Sequence, residues 1–221
     1  MKILAIAPHM DDEVLGIGGT LRKHVLCGDN VNVCIVAHRV YNHHYDVEAY
    51  NNEKKSVFNA KKIIGYDDLK FLDLNDERLD LCLQDIIIPL EDYYHHILPE
   101  LVYINFWDDN NQDHRAVFNA ARVIIRRTGN HPPNRVFVYE TPSSTDQSPS
   151  VLSASFAPNY YVNIDKTIED KLKAINCYER EKRIFPHPRS VEAIKNLAIR
   201  RGVESGFNYA ESFMTIYDQW K

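Results

Sequence analysis

Short apolar runs of strand type alternate along this chain with longer stretches in which apolar residues recur every three to four positions. Residues 2–7 (Lys-Ile-Leu-Ala-Ile-Ala) and 31–37 (Val-Asn-Val-Cys-Ile-Val-Ala) have the first pattern. Residues 14–27 between them have the second, with Gly28-Asp29 as the turn. The same logic predicts a helix over 47–64 stopped by Gly65, a short strand over 69–72, and a helix over 82–98 that Pro89 disturbs or restarts. A strand over 101–106, a helix over 113–127 closed by Gly129, strands over 135–139 and 160–164, and a helix over 165–181 follow. Ser190 is placed to cap a further helix. This order predicts an α/β fold: a doubly wound, mostly parallel, Rossmann-like sheet with helices on both faces, in a single domain over 1–221.

Two polar segments stand out because each follows a predicted strand, and sites in such sheets lie at the carboxyl ends of the strands. They are Pro8-His9-Met10-Asp11-Asp12-Glu13 and Asn111-Gln112-Asp113-His114-Arg115. His9 and Asp12 leave one tight turn, and His114 completes a His-Asp-His face from a neighbouring strand. Three protein ligands with room for a water are the donor set of an open catalytic zinc site; the same set accepts Fe2+ or Co2+. Asp11 and Asp12 are adjacent, so their side chains diverge: one can bind metal while the other takes a proton from water. Asp113, beside His114, can orient a histidine or the base and joins Asp11 as a candidate catalytic residue. Glu13 falls in the first helical turn, where a negative charge suits the helix dipole.

The glycines Gly16-Ile17-Gly18-Gly19 invite a dinucleotide reading, but a phosphate would meet Asp11, Asp12 and Glu13 first. Close helix–sheet packing accounts for them better. Residues 141–150 form the most loop-like stretch and read as a lid or rim loop, with Ser144 a candidate substrate contact. Arg39, in the segment after the second strand that also carries His38, His43 and His44, is another. Residues 185–190 form a second irregular connector, in which Arg189 is a candidate substrate contact and His187 a candidate acid. His24 and His95-His96 lie in helices, where packing or surface roles fit. No G-x-S-x-G elbow supplies a serine nucleophile.

Composition narrows the partners. The chain has 221 residues, 26 Lys and Arg against 31 Asp and Glu, and a net charge of -5, with a pI near 6.0. Its cations are scattered, so no nucleic-acid role is expected. No apolar run approaches the roughly 18–20 residues of a membrane span, and the N-terminus enters a strand without a secretory signal pattern. Cys27, Cys34, Cys82 and Cys177 show no C-x-x-C spacing and read as reduced core thiols of a cytoplasmic protein.

Pro8-His9-Met10-Asp11-Asp12-Glu13 resembles the P-H-P-D-D-E signature of the PIG-L/LmbE-like zinc-dependent N-deacetylases, and Asn111-Gln112-Asp113-His114-Arg115 resembles their second motif, often H-P-D-H. The similarity continues through Tyr139-Glu140-Thr141-Pro142-Ser143-Ser144-Thr145, Phe185-Pro186-His187-Pro188-Arg189-Ser190, and Arg201-Gly202 with Ala210-Glu211-Ser212-Phe213. It thus covers nearly the whole chain in order. The resemblance implies hydrolysis of an N-acetyl group on an amino-sugar conjugate, zinc held by His9, Asp12 and His114, Asp11 as general base, and a homo-oligomer. Two positions depart from the pattern. Met10 replaces a proline whose side chain the chemistry does not need. Asn111 replaces a histidine thought to stabilise the oxyanion or deliver a proton; an amide can donate a hydrogen bond to substrate but is no acid. The proton for the leaving amine then falls to Asp11, His187 or His38. A metallohydrolase of another amide or a phosphoester, or a non-catalytic sugar- or nucleotide-binding module, are the alternative readings.

Overall fold

A computed structural model describes residues 1–39, 46–149, 151 and 154–220. Among them, seven strands form one sheet in the order β3-β2-β1-β4-β5-β7-β6. The strands are β1 (Lys2–Ala7), β2 (Asn30–His38), β3 (Asp68–Asn75), β4 (Leu101–Asn105), β5 (Arg135–Tyr139), β6 (Tyr160–Asn163) and β7 (Ala210–Asp218). β1 to β5 pair in parallel. β7 runs antiparallel to β5, and β6 antiparallel to β7. Six α-helices cover the sheet: α1 (Asp12–Leu26), α2 (Val47–Ile64), α3 (Leu83–Ile97), α4 (Gln112–Ile124), α5 (Ile168–Ile175) and α6 (Val191–Ser205).

Strand alternation builds two cores. In β1, Ile3, Ala5 and Ala7 join apolar residues of α1, α2, α5 and α6, while Leu4 and Ile6 join those of α3 and α4. β4 divides in the same way, Leu101 and Tyr103 against Val102 and Ile104. Side chains that point alternately up and down therefore find helices on both faces, as the near-continuous apolar runs of β1 and β4 require. The chain winds outward through β2 and β3, then crosses back to β4 on the other side of β1. Strand order reverses between β1 and β4, and the loops after these two strands open the crevice that such a reversal creates.

The glycines of α1 pack as the sequence suggests. A Cβ on Gly16 would lie 2.4 Å from the Tyr139 ring, and one on Gly19 would lie 3.0 Å from Ile164. The helix is also interrupted, since Ile17 has φ -133° and ψ 19°. Glu211 of β7 repairs the break: its carboxylate accepts from the backbone N–H of Gly19 (2.9 Å) and Thr20 (2.7 Å), and Lys171 Nζ donates to it at 2.6 Å. All of these groups are buried, so the ion pair works as an internal helix cap.

The structure departs from the sequence reading, or adds to it, at five points. Residues 165–181 are not one helix: α5 ends at Ile175, and Glu179–Glu181 form a separate 3-10 turn. Glu181 leaves the helical path to meet arginines at the site. Pro89 sits inside a continuous α3. Only Cys34 is a buried thiol; Cys27 and Cys82 are exposed and Cys177 is half-buried. Glu13 is fully buried and not merely a charge in the first turn: it accepts from the Tyr178 hydroxyl at 2.6 Å. β7, which the hydrophobic pattern did not mark, completes the sheet as an antiparallel strand. No helix among the described residues is long and apolar enough to cross a membrane. His43, His44 and the rest of 40–45 lie outside the described residues.

Candidate metal centre and active site

The loop after β1 folds tightly because Asp11 and Asp12 both donate their N–H to the His9 carbonyl, and Asp12 Oδ2 accepts from His9 N at 2.9 Å. This turn places the His9 Nδ1 3.3 Å from Asp12 Oδ2. From the other wall of the crevice, Asn111 caps α4 by accepting from Asp113 N at 2.8 Å. The first turn of α4 then brings His114 Nε2 to 3.2 Å from Asp12 Oδ2. One donor atom from each of His9, Asp12 and His114 lies within 4.8 Å of the others, and all three residues are buried. The two imidazole rings are 5.3 Å apart, centroid to centroid.

Each imidazole is held from behind by a carboxylate. His114 Nδ1 is 2.7 Å from Asp109 Oδ2, and Thr145 Oγ1 donates to the other Asp109 oxygen at 2.6 Å. His9 Nε2 is 3.1 Å from Asp113 Oδ2. Asp113 is anchored in turn by the backbone N–H of Glu77 (2.7 Å) and Leu79 (3.3 Å). This carboxylate–histidine arrangement fixes the tautomer and leaves Nε2 of His114 and Nδ1 of His9 toward Asp12. Asp113 is thus found behind His9, its expected orienting position. Asp109 is the residue that sequence reasoning missed. It stands five residues before His114 in Trp107-Asp108-Asp109-Asn110, a spacing that forms no motif.

Charges in this cluster respond to burial and to one another. Burial opposes ionisation of Asp12, but the two imidazoles outweigh it and hold the carboxyl well below its usual range. Burial likewise opposes a charged His114, yet Asp12 and Asp109 push it up to about 10. His9 is raised against its burial by Asp113 and Asp12. Burial raises Asp11, with Arg189 partly opposing it. Burial also pushes Glu13 up to about 8.

These donors fit a divalent cation. Asp12 Oδ1 and His114 Nε2 are buried polar atoms without a hydrogen-bond partner, and such atoms are costly unless something binds them. Three carboxylates (Asp12, Asp109, Asp113) contact the two imidazoles, so with neutral rings the cluster carries negative charge for an ion to balance. Nitrogen and oxygen donors in this ratio suit Zn2+, Fe2+ or Co2+.

Asp11 faces a different set of groups. Its Oδ2 accepts from Arg189 Nη1 at 2.9 Å, and its Oδ1 is buried without a partner. Arg189 is itself clamped: Nε donates to Ser143 Oγ at 2.6 Å and Nη1 to Glu181 Oε2 at 3.1 Å. Glu181 also pairs with Arg39. Ser143 adopts φ 71°, a left-handed backbone that a non-glycine residue holds only when its surroundings require it.

Of the remaining candidates, Arg39, His187 and Arg189 line one cavity of about 230 Å3 with Ser143, Glu181 and Arg183. His187 Nδ1 accepts from Arg189 N at 3.1 Å, so a neutral ring carries its proton on Nε2. Ser144 is buried and bound into the turn through its backbone, and its neighbour Ser143 accepts from Arg189. Asn111 spends its Oδ1 on the helix cap. His38 is buried edge-on against the Tyr50 ring, 5.1 Å away.

The chain is similar in sequence and in fold to known proteins. The profile of the PIG-L family, described as GlcNAc-PI de-N-acetylase, matches residues 4–125. The uncharacterised deacetylase YaiS of Escherichia coli (strain K12) is 33% identical over 147 residues, 64% of this chain and 75% of YaiS. Diacetylchitobiose deacetylase of Thermococcus kodakarensis is 24% identical over 230 residues, 95% of this chain and 81% of that protein. Among solved structures, the conserved protein TT1542 of Thermus thermophilus superposes with a TM-score of 0.80 at 26% identity, over 100% of this chain and 97% of that one. GalB, a 4-carboxy-2-hydroxymuconate hydratase of Pseudomonas putida KT2440, shares the fold at a TM-score of 0.78 and 21% identity, covering 100% of this chain and 98% of its own.

Proposed function

The chain belongs to the PIG-L family of de-N-acetylases, and we propose that it removes the acetyl group from an N-acetylated amino sugar by divalent-metal-assisted hydrolysis. His9, Asp12 and His114 hold the cation, with zinc the first choice for two imidazoles and a carboxylate. When bound, the cation polarises the amide carbonyl and acidifies water.

The protein's own groups do the rest. Asp11 takes the proton of the attacking water at Oδ1, the oxygen left without a partner, while Arg189 holds Oδ2 and so fixes the carboxylate plane. The same carboxyl then returns the proton to the leaving nitrogen. His187, with its proton on Nε2 in the cavity beside Arg189, is a second donor for that step. Asp109 and Asp113 keep the imidazoles oriented. The amide group of Asn111, in the position of the usual histidine, contacts the acyl oxygen but moves no proton.

The observation that carries this reading is the set of orphaned buried atoms: Asp11 Oδ1, Asp12 Oδ1 and His114 Nε2. What distinguishes them is that they lie in or beside a cluster of two imidazoles and a carboxylate, the donor set of a divalent cation. The test is acetate release from N-acetylglucosamine conjugates before chelation, after chelation and after zinc is restored. Release that disappears and returns with the metal supports the proposal. A metal-loaded protein that releases no acetate from any conjugate refutes it.

A further inference from the structure

The turn that follows β5 reaches two parts of the site with two side chains. Its backbone has the pattern of a type II turn: Ser144 N donates to the Thr141 carbonyl at 3.0 Å, Pro142 holds the second position, and Ser143 holds the third with φ 71°. Glycine is the usual residue at that third position, because a Cβ strains a left-handed backbone. Here a serine occupies it. Its Oγ accepts from Arg189 Nε at 2.6 Å, on the same guanidinium whose Nη1 donates to Asp11.

Two residues on, Thr145 serves the other wall of the crevice. Its Oγ1 accepts from Thr141 N at 2.8 Å, and its single proton goes to Asp109 Oδ1, an acceptor 2.6 Å away. The second Asp109 oxygen lies 2.7 Å from His114 Nδ1. The turn is also tied to the loop that carries Asp109. Asn110 N donates to the Ser144 carbonyl at 3.1 Å, and Ser148 Oγ to the Asp108 carbonyl at 2.7 Å. Thr141, Ser144 and Asp109 are all buried, so solvent does not compete for these bonds.

We propose that Ser143 and Thr145 are positioning residues for the reaction, and that the turn holding them sets the base Asp11 in register with the metal ligand His114. Thr145 acts on metal binding through Asp109. Ser143 acts on proton transfer through Arg189. Both work at one remove from the reacting atoms. The inference rests on the deacetylase reading and assigns two further residues to it.

The test measures Zn2+ affinity by competition with a chelator, and kcat and KM for acetate release at saturating Zn2+, on the full chain and its variants. Thr145→Val keeps the shape of the side chain and removes the hydroxyl. Its Zn2+ affinity should fall about tenfold, the effect of one hydrogen bond to a charged group, and Thr145→Ser should restore it. Ser143→Gly adopts the turn without strain and loses only the hydroxyl. Its kcat should fall about tenfold, with KM and Zn2+ affinity unchanged. A turn that served the fold alone would shift Zn2+ affinity and kcat together in both variants, or neither, and either pattern would overturn the proposal. Unchanged Zn2+ affinity in Thr145→Val, or no recovery in Thr145→Ser, would remove Thr145; unchanged kcat in Ser143→Gly would remove Ser143. A wild-type chain that binds Zn2+ and releases no acetate would instead bring down the deacetylase reading, while the Zn2+ affinities would still decide Thr145.

Discussion

The molecule contains two kinds of histidine–aspartate pair, one at each end of the parallel strands. At the amino end, His24 Nδ1 lies 2.7 Å from Asp29 Oδ2 and His24 Nε2 lies 2.9 Å from the Tyr103 hydroxyl. Both ring nitrogens are satisfied, the pair is partly open to solvent, and burial lowers the His24 pKa. At the carboxyl end, His114 Nδ1 meets Asp109 at the same 2.7 Å, while Nε2 faces Asp12 Oδ2 at 3.2 Å outside hydrogen-bond geometry, and Asp12 and Asp109 push the imidazole up to about 10. The residue types and the contact distance are the same in both places. What differs is whether the second nitrogen has been satisfied. The open pair belongs to the proposed site, because a buried donor or acceptor left open is costly unless something binds it.

This contrast is open to direct attack. The largest expected effect comes from His114→Ala, which should abolish both metal content by elemental analysis and acetate release, while His24→Gln keeps both. Loss of metal in the two variants alike would erase the distinction. Chelation should lower Tm by roughly 5–10 °C, because a ligand present at about 100 times its Kd stabilises the native state by about 2.7 kcal/mol. The His114→Ala protein should show no such response. A smaller effect is expected of Asp109→Asn, which keeps the shape of the orienting side chain but not its charge. Metal affinity should fall about 10–100-fold, and an unchanged affinity would remove Asp109 from its place behind His114.

The smallest effect belongs to the finished pair. A histidine whose folded pKa is depressed binds fewer protons in the native state than in the unfolded one. Its contribution is therefore present above the unfolded value of about 6.5 and is lost as pH falls through that value. Denaturant unfolding between pH 7.5 and 5.5 should show a shallower loss of stability in His24→Gln than in the parent, by under ~1 kcal/mol. A steeper loss in the variant would contradict the direction assigned to His24.

How much of this was legible in the sequence depended on whether the signal was local. β1, α1, β2 and α2 follow from uninterrupted periodicity, and His9, Asp12 and His114 from a turn and a helix start that each follow a strand. The supporting groups are not local. Asp109 reaches His114 from an irregular loop, and Glu211 reaches α1 across nearly two hundred residues of chain. β7 escaped notice because Glu211 occupies an inward position that an apolar residue would normally mark. Glu179-Arg180-Glu181-Lys182 has good helix formers, yet α5 ends at Ile175 and Glu181 lies in a separate 3-10 turn, paired with Arg189 and Arg39. Local propensity does not decide the segment there, as tertiary context can override it. The neighbours Ser143 and Ser144 are not told apart by the sequence: the left-handed backbone at Ser143 turns its hydroxyl to Arg189, while Ser144 is buried.

The proposed mechanism divides metal binding and proton transfer between neighbours, Asp12 for the ion and Asp11 for the proton. It is tested most directly by measuring metal content and acetate release together on purified Asp11→Asn. The prediction is metal at the wild-type stoichiometry with activity reduced at least about 100-fold. Activity within a few-fold of wild type, or loss of the metal along with the activity, would contradict it.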